Sequence, residues 1–379
     1  MDILILGNGF DLAHGLKTKY SDFLEYCRRK YSINVSSGHI NNVTSLTNNL
    51  WLRHFLMLKQ AGDKWIDLEE EIYNVIKIIN EHSKRITMNY ANININRLYR
   101  FSETYIEDDF NLGKILYKSK ETQQIYNVDA KEYVSIKDNI INNKVYYFKS
   151  YKGLINYLYD ELRIFTKYFN DYLLEEVLPN IGNIKYKFKL SNNKMIRVLN
   201  FNYTDTYEKL YDLHSIYADD SPRYVYVHGK ICNSEDCNLI LGTHSFYNNL
   251  PNDLNEEINV EFNLFKKHNQ RHRYGTIESY QGLLKELNDR RKIIVPNFHI
   301  IGHSLDKADY NILKHIFKAR EKCNINIYYH NQEALNRLIN NITEIIGEDE
   351  VMSKVKFIYQ HDTKRGILIP QEKELLVTT

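Results

Sequence analysis

Four short stretches carry the residues best suited to chemistry, and each closes an apolar run: GNGFD at 7–11, FNYTDT at 201–206, HG at 228–229 and GHSL at 302–305. In the first, Gly7 and Gly9 let the backbone turn sharply and approach a ligand. The amides of a helix opening through Asn8, Phe10 and Asp11 then face an anion such as a nucleotide phosphate. The dinucleotide fingerprint places a third glycine where this chain has Leu12, which argues against a hydride-transferring dehydrogenase. His228 is of the residue type that titrates near neutral pH, as a general base must, and Asn202 can orient a water or a hydroxyl. Asp11 would repel a phosphate and suits a helix N-cap or an acceptor for ribose hydroxyls.

Each of these residues also has a plain structural reading. Gly7 and Gly9 can simply make a tight turn, Asn202 can be a turn former, and His228 and His14 can be satisfied structural histidines. Asp67 and Glu69 read as a charged first helical turn or, with Asp11, as carboxylates for a metal. The basic run from Lys266 to Arg273 reads as a solvated face or as a surface for substrate or nucleic acid.

The elements that must position these groups follow from periodicity. Ile3 to Leu6 is the continuous apolar run of a strand covered on both faces. A helix over Tyr20–Lys30 is followed by polar text from Ser32 to Asn49, read as a loop or a weakly ordered insertion. WIDLEEEI opens a helix in which Trp65 is a core residue. The stretch from Asn80 to Lys149 has no clear period, and Leu154, Leu158, Leu162, Phe165, Phe169 and Leu173 mark a long helix ending near Pro179.

Strands are expected at Ile196–Leu199, Tyr224–Val227, Leu239–Leu241, Phe298–Ile301, Ile325–Tyr329 and Val355–Ile358, with helices at Tyr207–Leu213, after GHSL, and at Leu335–Ile346. This alternation predicts an α/β, Rossmann-like fold: a mostly parallel sheet with helices on both faces and a large helical insertion after the first strand. The expected divisions are a core of 1–30 and 195–360, an insertion of 31–194 and a tail of 361–379. Ligands of such sheets bind beyond the carboxyl ends of the strands, so the four polar strand ends converge on one pocket.

Composition narrows the function classes. The chain has 379 residues, 43% of them apolar, and 50 basic residues against 48 acidic ones for a net charge of +2. No general field draws nucleic acid or an anionic membrane to it. Cys27, Cys232, Cys237 and Cys323 are too scattered for a disulfide framework or a zinc module, which fits a reduced cytoplasmic setting. No apolar run reaches membrane-spanning length, and a strand starting at Asp2 leaves no room for a signal segment.

Taken in order, GNGFDLAHGL, WIDLE, FNYTDT, HG and GHSLDKAD resemble the AbiH family of phage abortive-infection proteins, from the first strand to about Arg320. The same order is similar to the sirtuin-like NAD-consuming domains of antiphage defence. That resemblance implies NAD as substrate rather than as a resident cofactor, with Asn202 and His228 serving cleavage of the nicotinamide–ribose bond. It implies nucleotide contacts from Gly7, Asn8, Gly9, Phe10, Asp11, Tyr203, Gly302, His303, Ser304 and Asp309. The four-cysteine zinc module of sirtuin deacetylases has no counterpart here, so no metal is implied.

The activity so implied is that of an NAD glycohydrolase that depletes NAD on infection. It would be released by a phage-derived trigger and would act as a homo-oligomer with neither membrane nor nucleic acid as partner. The alternatives are a nucleotide sensor without turnover and a metal-dependent nuclease using Asp11, Asp67 and Glu69.

Overall fold

The computed structural model describes residues 1–31, 34–36, 39–41, 49–60, 68–76, 99–102, 133–138, 143–148, 151–184, 186–188, 196–211, 224–233, 237–243, 262–291, 294–359 and 376–378. Trp65, Asp67 and most of the expected tail lie outside them. The chain forms two compact units. One comprises Met1–Lys19, Phe169–Ile240 and Gln270–Thr379, and the second Tyr20–Tyr168 and Leu241–Asn269.

The first unit is built on six parallel strands: β1 (Asp2–Leu6), β2 (Ile196–Asn200), β3 (Tyr224–Tyr226), β4 (Asn297–Ile301), β5 (Asn324–Tyr329) and β6 (Val355–Tyr359). Their spatial order is β6-β5-β4-β1-β2-β3. Read from the other edge this is 3-2-1-4-5-6, the order of dinucleotide-binding sheets, whose switch point falls between β1 and β4. The register aligns the carboxyl ends, with Leu6 opposite both Asn200 and Ile301, and Asn200 opposite Tyr226. The polar residues that follow these strands therefore emerge at one edge.

The side-chain period of two explains why β1 is apolar throughout. Ile3 and Ile5 enter a core with Leu199, Val225, Phe298, Ile300 and Ile327. Leu4 and Leu6 enter the opposite core with Phe10, Val198, Tyr207 and Ile301. The larger core is closed by helices α7 (Thr276–Asn288), α8 (Tyr310–Lys318) and α9 (Gln332–Ile346), through Leu283, Leu313, Ile316, Leu338 and Ile342. The smaller is closed by α1 (Asn8–Ala13) and α5 (Thr206–Tyr211). Between α7 and β2, Arg197 donates twice to the Glu286 carboxylate, at 3.0 and 3.2 Å, with both side chains buried.

The second unit holds α2 (Tyr20–Lys30), α3 (Leu50–Gln60), a helix over 68–76 and most of α4 (Tyr151–Tyr172). Asn49 starts α3 by accepting from the Leu52 amide at 2.9 Å, and the Trp51 indole donates to the Leu158 carbonyl at 2.9 Å. Phe23, Phe55 and Phe165 pack around them.

Several expectations change. The polar stretch after α2, read as a loop or a weakly ordered insertion, carries an antiparallel strand pair, Asn34–Ser36 with His39–Asn41. The segment read as mostly helical also carries a three-stranded antiparallel sheet, in which Asn143–Phe148 lies between Tyr99–Ser102 and Tyr133–Asp138. Leu239–Leu241 is not a strand: it is a buried irregular strap whose Ile240 amide donates to the His228 carbonyl at 2.9 Å. An apolar triplet marks burial, and burial alone does not make a ladder.

Candidate functional site

The site at the carboxyl edge begins with two loops closed on each other. The Gly7 amide donates to the Ile301 carbonyl at 3.1 Å and the Gly9 amide to the Gly302 carbonyl at 2.8 Å. Gly302 has φ +66°, and a Cβ there would lie 2.2 Å from the Phe10 nitrogen; one on Gly9 would lie 2.7 Å from the Gly302 Cα. Glycine is required because backbone meets backbone at the switch point. Asn202 reinforces the closure, donating through Nδ2 to the Gly7 carbonyl at 3.0 Å. Asn200, which sequence reasoning passed over, shapes that turn by accepting from the Asn202 amide at 2.9 Å and donating to the Thr204 carbonyl at 3.0 Å.

Beside this closure stands a buried charged cluster. His228 follows β3 at the HG turn, where Gly229 has φ +82° and a Cβ would strike the Asn238 carbonyl. Its Nε2 lies 3.1 Å from Asp309 Oδ1. Asp309 precedes α8, yet its carboxylate makes no capping bond there and faces the histidines instead. His303 Nε2 lies 3.6 Å from Asp309 Oδ2, while His303 Nδ1 accepts from the Leu305 amide at 2.9 Å. That second bond places the His303 proton on Nε2, toward Asp309. It also curls the GHSL loop tightly enough to put Leu305 at φ 59°, a conformation costing about 1 kcal/mol for a residue with a Cβ. The Phe201 ring packs edge-on to His303 at 4.3 Å and to His228 at 5.6 Å, and Tyr203, donating to the Ile240 carbonyl, lies 6.1 Å from His228.

The fourth member is Arg271, on α6 (Lys267–Arg273). Its guanidinium Nη2 lies 3.3 Å from Asp309 Oδ1 and 3.5 Å from His228 Nδ1. Lys267, Gln270 and Arg271 are all buried and recur at i, i+3 and i+4, one face of the helix, a burial that their residue types do not announce in the sequence. The basic run is thus not a uniformly solvated face. Lys267 itself pairs with Glu69 at 2.7 Å.

The remaining residues singled out from the sequence sit elsewhere. Phe10 is core, its ring packed at a tilt against His14, Tyr207 and Tyr211. Asn8 and Ser304 are exposed; Asn8 accepts from Thr18 at 2.5 Å and the Ser304 carbonyl accepts from Asn341 at 2.9 Å. Asp11 is not an N-cap: Gly7 holds that position, and Asp11 lies one turn inside α1. Its Oδ2 accepts from Thr204 Oγ1 at 2.5 Å while Oδ1 is buried without a hydrogen-bond partner, and desolvation pushes its pKa up to about 6. His14 is a satisfied structural histidine, donating from Nδ1 to the Phe10 carbonyl at 2.7 Å and accepting at Nε2 from Tyr211 at 2.7 Å. Burial pushes its pKa down to about 4. Among the described residues no group of three or more His, Cys, Asp or Glu side chains is arranged to hold a metal ion.

No solved structure matches the chain. Over 142 residues it is 26% identical to the probable cation-transporting ATPase 1 of Plasmodium falciparum, a stretch covering 37% of this chain and 7% of that protein. So small a share of the ATPase carries no argument about activity. The family model described as bacteriophage abortive infection AbiH matches residues 3–330, spanning β1, the HG turn, the GHSL loop and Asp309; the chain belongs to the AbiH family.

Proposed function

We propose that this AbiH-family chain serves abortive infection by binding NAD or a related adenine nucleotide at the carboxyl edge of its sheet and hydrolysing the nicotinamide–ribose bond. The observation that carries the reading is the His228–Asp309 pair at 3.1 Å, at the edge where sheets of this strand order bind ligands. Asp309 holds the imidazole, and His228, once Arg271 moves off Nδ1, takes a proton there from water as the water oxygen bonds to C1′ of the ribose. The C1′–N bond breaks with its electron pair passing to the pyridinium nitrogen, giving neutral nicotinamide and ADP-ribose. The leaving group is already cationic and needs no acid, so one positioned base suffices, worth roughly 10²- to 10⁴-fold.

His228 is only 4% exposed, which suits an enzyme held silent until a phage-derived trigger opens the site. The same burial favours the second reading, a nucleotide sensor without turnover. NAD measured in phage-infected cells separates the two. The pool collapses with the wild-type chain and holds with His228→Ala if hydrolysis is the activity, whereas protection with an unchanged NAD pool removes hydrolysis and leaves the sensor standing.

A further inference from the structure

Asp11 is a buried carboxyl group that the proposed reaction leaves unused. Only 1% of it is exposed, and its Oδ1 meets no hydrogen-bond partner among the described residues. Oδ2 accepts from Thr204 Oγ1 at 2.5 Å, with Thr206 donating in turn to Thr204 at 3.1 Å. The Asp11–Thr204 bond joins α1 to the loop after β2. The same loop carries Phe201 and Tyr203 against His228, and the Asn202 bond to the Gly7 carbonyl.

Among the described residues the charged and titratable groups around this carboxyl give it no counter-ion. On the loop, Asp205 adds a second negative charge, itself paired with Lys209 and Lys230 at 3.4 and 3.5 Å. On α5, Tyr207 and Tyr211 face Phe10, while Glu208 faces Tyr226 and Lys230. His14, at the end of α1, is bonded to the Phe10 carbonyl and Tyr211, and burial keeps it neutral. An ionised Asp11 is therefore favoured by any movement that lets water reach Oδ1.

We propose that Asp11 loads the carboxyl edge to open: its buried charge favours separation of α1 from the loop after β2, which takes the Phe201 and Tyr203 rings off His228. Desolvation raises the pKa of the closed carboxyl from 3.8 to about 6, so a proton holds the seam shut and opening gains as pH rises through 6. At neutral pH the charge is present, and the rest of the closure holds the seam against it.

The gating of His228 rests on the proposed hydrolysis, but the test of opening does not need turnover. Hydrogen exchange read by mass spectrometry on peptides covering 7–13 and 200–206, corrected for the intrinsic rate at each pH, measures the opening. In the wild type both segments should open far more often than α9, and their opening constant should rise about tenfold from pH 5 to 7.5. In Asp11→Asn it should stay flat and below the wild-type value.

A pH-independent opening in the wild type, a rise that persists in Asp11→Asn, or opening no more frequent than in α9 overturns the proposal. Should Asp11→Asn fail to fold, Thr204→Val, which deletes the bond across the seam, must raise opening at pH 7.5, and an unchanged value overturns the proposal equally. The expected exchange without NAD cleavage would leave the device standing and remove the hydrolase, while cleavage with flat exchange would do the reverse.

Discussion

Asp11 on α1 and His14, the residue that caps its C-terminus, lie three residues apart and answer pH in opposite directions. The Asp11 pKa is raised on folding from 3.8 to about 6, so its contribution to stability is fully present below 3.8 and is lost as pH rises through 6. The His14 pKa is lowered from 6.5 to about 4, so its contribution is present above 6.5 and is lost as pH falls through 4. Asp11→Asn keeps an acceptor for Thr204 and removes the buried charge. Chemical denaturation should find it more stable than wild type at pH 7.5 by up to about 3 kcal/mol, with the gain shrinking toward zero at pH 4. Equal or lower stability at pH 7.5 would show that the Asp11 charge is compensated. Among the site residues, His228, His303 and Asp309 were legible because each closes or follows an apolar strand. Arg271 was not, because a charged residue within a basic run carries no mark of burial.

At the scale of elements, the loops after β1 and β4 depend on the absence of side chains. Gly302→Ala adds both a left-handed backbone penalty and a collision with Phe10, and should cost on the order of 2–4 kcal/mol or prevent folding. Gly15→Ala, at φ +78° with open space around it, should cost only about 1 kcal/mol. Equal costs in thermal unfolding would mean that the loop closure contributes nothing. Most strands of the sheet were legible to within a residue or two, since apolar runs bounded by polar turns admit little else. The strap at Leu239–Leu241 was misread because its burial comes from packing on the HG turn. The strands at 99–102, 133–138 and 143–148 were missed because Asn-, Lys- and Tyr-rich text hides alternation.

At the scale of the molecule, layers of helix on a parallel sheet were legible from the alternation of elements. The spatial order of strands was not, because pairing between β1 and β4 joins residues almost three hundred positions apart. That order puts four strand ends on one edge and gives the His228 cluster its functional reading. The most direct test of that reading is nicotinamide release from NAD by the purified chain, alone and with lysate from phage-infected cells. Release by the wild type is expected under at least one of these conditions, with a loss of roughly 10²-fold or more in His228→Ala and in Asp309→Asn, both still folded. Release that persists unchanged in these variants, or none from the wild type in either condition, would contradict it.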